Sequence, residues 1–112
     1  MNQLQRVFQY EGQQVRTKAV DGQVWFAAKD VCAILDIANH RNAVAKLGEK
    51  QKGTEVMDTP GGRQEMAVIT EAGVYKIAFT SQERSEETWR FMEWFANRVL
   101  PSIAEGVSVW TA

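Results

Sequence analysis

His40, Arg41, Asn42 and Lys46 fall within seven residues, and Lys50 and Lys52 follow, with Glu49 the one acid among them. These residue types suit a polyanion. A guanidinium matches the acceptor pair on a guanine edge, a carboxamide matches the donor and acceptor of an adenine edge, and ammonium groups neutralise phosphates. Arg41 and Asn42 are therefore candidate base contacts, with His40 beside them. Lys46 shares their segment, and Lys50 and Lys52 are candidate phosphate contacts. Lys29 stands at a helix start, where its charge is slightly unfavourable. Arg63, beside Gly61-Gly62, could enter a minor groove from a hairpin tip. The competing reading of the same charges is a solvated helix face and loop.

Catalytic and metal chemistry find no comparable set. With one cysteine (Cys32) and one histidine (His40), no zinc site of three or four such ligands can be built. No Ser-His-Asp or Cys-His spacing offers itself, and no Gly-rich loop joins a strand to a helix. Asp30 and Glu71 read as acids at helix starts, and Cys32 as a small buried hydrophobe. The expectation is no enzyme, no metal and no cofactor.

The elements that would position the basic group run from Trp25 to Leu47. Val31, Ile34 and Leu35 share one face of a short helix, and Val44 and Leu47 share one face of a second. The turn between them, Asp36 to Asn39, contains no glycine. Two short helices joined this way, the second carrying the basic residues, are helix-turn-helix-like.

Upstream, residues 4–10 alternate weakly, Glu11-Gly12 marks a turn, and Val15 to Val20 reads as a strand. Arg16 and Lys18 share a face of that strand, expected to be exposed. Asp21-Gly22 is the strongest hairpin signal in the chain and leads into Val24-Trp25-Phe26. Downstream, Thr54–Thr59 and Arg63–Ile69 flank a Pro60-Gly61-Gly62 turn. That hairpin could be a wing beside the helix pair or a roof over the core.

Thr70-Glu71 starts a helix that buries Val74, Ile77 and Ala78, with Tyr75 and Phe79 beside them. A polar link, Thr80 to Arg84, leads to the longest helix, Glu86 to Leu100. Its stripe is Thr88, Phe91, Met92, Phe95 and Val99, widened by Trp89 and Trp94. Pro101 should stop or kink it. Trp25, Trp89, Phe91, Trp94 and Phe95 are read as core packing rather than base-stacking platforms. The fold class is α+β: small antiparallel β-hairpins packed with a helix pair and C-terminal helices.

The totals agree with one domain over residues 1–112, its core about 5–105. Hydrophobic residues make up 45%, which a packed core requires. The net charge of -1 excludes a strongly basic, indiscriminate nucleic-acid binder. Residues 1–55 hold eight Lys/Arg against six Asp/Glu, a balance of +2; residues 56–112 hold five against eight, a balance of -3. A DNA-facing surface therefore belongs in the first half. No apolar run exceeds five residues, so no membrane span is expected. The first residues form no apolar signal segment, and one cysteine permits no intrachain disulfide. Both point to a cytoplasmic protein.

Several pieces together resemble the Bro N-terminal domain, the DNA-binding module of phage antirepressors and of repeated open reading frames in baculoviruses. They are Val24-Trp25-Phe26-Ala27-Ala28-Lys29-Asp30-Val31, Ile34-Leu35, Asn39 and Ala43-Val44. They continue with Gly61-Gly62-Arg63-Gln64, Ile69-Thr70-Glu71-Ala72-Gly73-Val74-Tyr75, Phe91 with Trp94, and Val99-Leu100-Pro101-Ser102-Ile103. Their order and spacing cover about residues 5–105.

The resemblance implies a prophage-encoded, non-enzymatic regulator that binds double-stranded DNA, with no catalysis, and at the matching position it implies a phosphate contact for Lys29. A homodimer would let so small a reader span two half-sites. Three positions depart from the family pattern. Asp36 stands where the turn usually has glycine, Arg98 where Glu is usual, and Ala104-Glu105 where basic residues are usual. With ~3–4 phosphate contacts available in the basic group from His40 to Lys52, affinity should be modest and salt-sensitive. The alternative is a protein-interaction module that sequesters a repressor protein through the acidic helix, Glu83 to Glu93.

Overall fold

Glu11-Gly12 and Asp21-Gly22 both form two-residue turns with all four φ angles positive (48°, 82°, 50° and 84°). That geometry matches the twist of antiparallel strands. The computed structural model describes residues 3–80 and 86–103. Its first three strands, β1 (Gln3–Tyr10), β2 (Gln13–Val20) and β3 (Gln23–Ala27), are an antiparallel meander. The second hairpin is β4 (Lys52–Thr59) and β5 (Gly62–Ile69). The meander and this hairpin share one sheet, in the order β1-β2-β3-β5-β4. Phe26↔Ile69 and Ala27↔Val68 join them.

Because the join is so short, the outer part of the second hairpin leaves the plane and bends over one face of the meander. The Gln5 carboxamide donates to the Asp58 carbonyl and accepts from the Asp58 N–H, both at 2.9 Å. Lys18 Nζ donates to the Val56 carbonyl at 2.6 Å. Beneath the hairpin, Ala27, Met57 and Val68 form a small core with Trp25 and Met66. Of the two expectations for this hairpin, the roof is the one observed.

The same covering overturns the expected exposed face of β2. Arg16 and Lys18 are only 8% and 7% exposed. Lys18 lies under the roof, 3.6 Å from Glu55. Arg16 is held by α1 (Ala28–Ile34). Alternation predicts which residues share a face, but not whether another element will cover that face.

The other face carries the main core, which includes Val15, Phe26, Val31, Ile69, Val74, Phe91, Phe95 and Val99. Two helices pack there: α3 (Glu71–Thr80) and α4 (Glu86–Trp94). Thr70 Oγ1 accepts the Gly73 N–H at 3.2 Å, the expected N-cap. Thr88, Phe91, Met92, Phe95 and Val99 are all buried, as their spacing predicts. Phe95 meets Phe26 edge-on with centroids 5.0 Å apart, and Phe91 meets Tyr10 at 5.6 Å.

Trp89 is a correction, being 57% exposed. At 3.6 residues per turn it lies roughly 100° from the centre of that stripe. Its aromatic contact is Phe79, at 6.0 Å and itself exposed. Trp94 is equally off-centre but packs on Tyr10 at 5.0 Å and is half-buried.

Pro101 does not end the helix, which continues to Ile103. Phe95–Val99 forms a π-helical turn, and the Leu100 N–H donates to the Phe95 carbonyl. The wider turn comes where a proline ring would press on the carbonyl four residues back. Thr80 is the last residue of α3; the rest of the expected polar link lies outside the described residues.

Candidate nucleic-acid interface

The helix pair is anchored from beneath by an ion pair. Asp30, in the first turn of α1, is buried and accepts three hydrogen bonds from Arg16. The backbone N–H lies at 2.9 Å, Nε at 2.8 Å and Nη2 at 2.7 Å. The β2–β3 register ends at Thr17↔Phe26, so this carboxylate takes the next β2 amide where the strand ladder stops. Hydrogen bonding to Asp30 raises the Arg16 pKa, against the opposing effect of desolvation. Asp30 is thus more than a helix-start charge. No local pattern could have paired residues fourteen apart on different elements.

The end of α1 explains how its turn manages without glycine. Asp36 takes φ 59°. Its N–H donates to the Ala33 carbonyl at 3.3 Å, and the Ile37 N–H to Cys32 at 2.8 Å. This is a Schellman ending with aspartate in the left-handed position, which Asp and Asn tolerate better than other side chains. Cys32 is buried, and desolvation pushes its thiol up to about 11. That suits a small hydrophobe rather than a nucleophile.

Asn39 then caps α2 (His40–Ala45), its side chain accepting the Asn42 N–H at 3.1 Å. No residue of α2 is fully buried. Ala43 and Val44 pack on the core, His40 is half-buried, and Arg41, Asn42 and Lys46 are exposed. The helix is only about 9 Å long, so it presents less than two turns. Lys50 is exposed on the short 3-10 turn, Glu49–Gln51, that follows.

Gly73 lets α3 lie close behind this link. A Cβ there would meet the Gln51 carbonyl at 3.0 Å, Ile69 Cβ at 3.1 Å and Leu47 Cδ1 at 3.2 Å.

Two hollows flank α2. Lys29 and His40 border one, with Asp36 between them. Asn42 and Lys46 border the other, with Lys76 of α3 on its far side. Among the described residues, Arg6, Lys29, Arg41, Lys46, Lys50, Lys52, Lys76 and Arg98 have no carboxylate within ion-pair distance, and all of these but Arg6 and Arg98 lie on or beside α2, whereas Arg16, Lys18, Arg63 and Arg90 are each paired.

Two expected contacts stand differently. Lys52 is half-buried, with Nζ 3.4 Å from the Ala45 carbonyl at the end of α2. Arg63 lies at the hairpin tip, 3.6 Å from Asp58. Six residues of strand, roughly 20 Å, separate it from Ile69 at the base near α2. Lys76 was missed because it belongs to the acidic half. Its outward place on a helix whose Val74, Ile77 and Ala78 face inward was the available signal.

The family model for the BRO family, N-terminal domain, matches residues 14–101. The chain belongs to that family. Bro N-terminal domains are non-enzymatic regulatory domains associated with phage antirepressors. The matched span of this Bro N-terminal domain takes in β2 through the π turn, and with them the buried Arg16–Asp30 pair and both flanks of α2. A chain from Haemophilus influenzae, described as an uncharacterized protein, is 37% identical over 84 residues. The match covers 73% of this chain and 40% of the relative, so the chain spans about two fifths of that relative's length. No solved structure matches this chain. Among the described residues, no helix is long and apolar enough to cross a membrane.

Proposed function

We propose that this Bro N-terminal domain is a double-stranded DNA-binding regulator of the phage antirepressor type. Arg41, Asn42 and Lys46 face the major groove, and Lys29 and Lys50 contact the backbone. The observation that carries this reading is the concentration of unpaired cations on and around the exposed side of α2. An unpaired lysine or arginine keeps its full charge available for a phosphate, and each phosphate neutralised releases condensed counterions. His40 is half-buried at the edge of this face. Lys52 supports the end of α2, and Arg63 stands apart at the roof tip.

Fluorescence anisotropy with mixed duplex fragments at low and moderate salt tests the proposal. The two backbone contacts, Lys29 and Lys50, give a slope of log affinity against log salt of about -1.8. Replacing Arg41 and Lys46 together by alanine collapses the affinity. A flat signal at ~10 μM protein in low salt, where non-specific DNA binders already associate, removes the reading.

A second reading is a protein-interaction module that sequesters a repressor. One observation favours it: Glu86, Glu87 and Glu93 of α4 are exposed on the helix that also exposes Trp89. Under that reading, repressor binding survives the Arg41/Lys46 double substitution and is lost with Trp89→Ala.

A further inference from the structure

The hollow between α2 and α3 lies outside the helix pair itself. Its α2 wall carries Asn42 and Lys46, one turn apart on the same side of the helix. Its α3 wall carries Lys76 and Thr80, and its floor includes Ile37 and Ile77. Thr80 Oγ1 donates to the Lys76 carbonyl at 2.6 Å, so that hydroxyl proton is already committed to the helix. Among the described residues, no carboxylate lines the hollow. Two lysines therefore border one concave, partly apolar site, with no anion among the described lining residues to offset them. Lys76 is the single lysine of residues 56–112, a stretch with a balance of -3. The tertiary fold brings it from that acidic half to the basic face.

We infer that this cleft seats a DNA backbone phosphate between Lys46 and Lys76, with Asn42 donating from the α2 wall. The inference rests on the DNA reading above and extends the interface from α2 onto α3. It moves Asn42 and Lys46 from the groove-facing set to a two-walled phosphate site at the groove's rim and leaves Arg41 as the base contact. Gly73 is the positioning residue, since its missing side chain lets α3 approach the 3-10 turn that follows α2.

Anisotropy titrations of a duplex over a salt series test it, using wild type, Lys46→Ala, Lys76→Ala, Lys76→Arg and the exposed control Arg98→Ala. Loss of one phosphate contact flattens the salt slope by about 0.9 and weakens binding almost equally for every duplex sequence. The expected result is that flattening in Lys76→Ala, with Lys76→Arg restoring the wild-type slope and Arg98→Ala matching wild type. Wild-type binding that weakens with Lys46→Ala but is the same for Lys76→Ala and Arg98→Ala overturns the cleft and leaves the α2 reading intact. Absence of duplex binding by wild type removes the DNA reading, and the cleft with it. Chemical-shift changes at Lys46 and Lys76 with inorganic phosphate, in a protein that binds no duplex, would assign the cleft to a free anion and overturn the inference as stated.

Discussion

Arg16 and Lys18 on β2 and Arg41 and Lys46 on α2 are the same residue types used in opposite ways. The first pair is buried. Arg16 is locked to Asp30 by three hydrogen bonds, and Lys18 is held by the Val56 carbonyl and Glu55. The second pair is exposed, and among the described residues neither has a carboxylate partner. The difference is one of covering. β2 lies between the helices and the folded-back hairpin, where a cation without a partner would be costly to desolvate. α2 sits on the outside, where an ammonium keeps its water and its charge remains free for an anion. Charge counting along the chain treats the two pairs alike, although only one can contribute to a binding surface.

The contrast breaks most sharply at Asp30. Asp30→Ala strands the Arg16 guanidinium in the interior and should cost about 3–5 kcal/mol of folding stability, read from the urea midpoint. A loss below about 1 kcal/mol would mean that Arg16 finds water instead and that the pair is not an anchor. On the other side, Arg41→Ala with Lys46→Ala should leave stability within about 0.5 kcal/mol. The same variant should lower duplex affinity more than tenfold, since one good base contact is worth about 1–3 kcal/mol. A large change in melting temperature would assign these two residues to the fold.

Lys18→Met gives a smaller effect of the buried kind. It removes a charge-assisted hydrogen bond but keeps an apolar stem of similar length, and should cost about 1–2 kcal/mol with duplex affinity unchanged. The smallest effect belongs to the turn that delivers α2. Asp36→Gly relieves a left-handed aspartate and should raise stability by about 0.5–1 kcal/mol. Unchanged or lower stability there would show that the aspartate side chain contributes something the Schellman geometry does not need.

Much of the fold was legible because local chemistry is strong where it is legible. Asp21-Gly22 and Glu11-Gly12 determined their turns, since φ > 0 at both positions favours such pairs. The stripe Thr88, Phe91, Met92, Phe95 and Val99 determined the buried side of α4, because 3.6-residue spacing leaves one face to bury. Thr70 determined a helix start through its side-chain oxygen. The family, too, was legible from the ordered series of pieces between Val24 and Ile103.

Only the tertiary structure decided which cations are free, because pairing depends on elements distant in sequence meeting in space. Nothing near Arg16 announces Asp30, and nothing near Lys18 announces the carbonyl of Val56. Only the tertiary structure set Lys76 and Lys46 on the walls of one hollow, folded the second hairpin into a roof, and left Trp89 uncovered while Tyr10 covered Trp94. Local sequence determines turns, caps and faces, whose energies are set within a few residues. Burial and charge pairing are set by what packs on each face, and that is a property of the assembled sheet and helices.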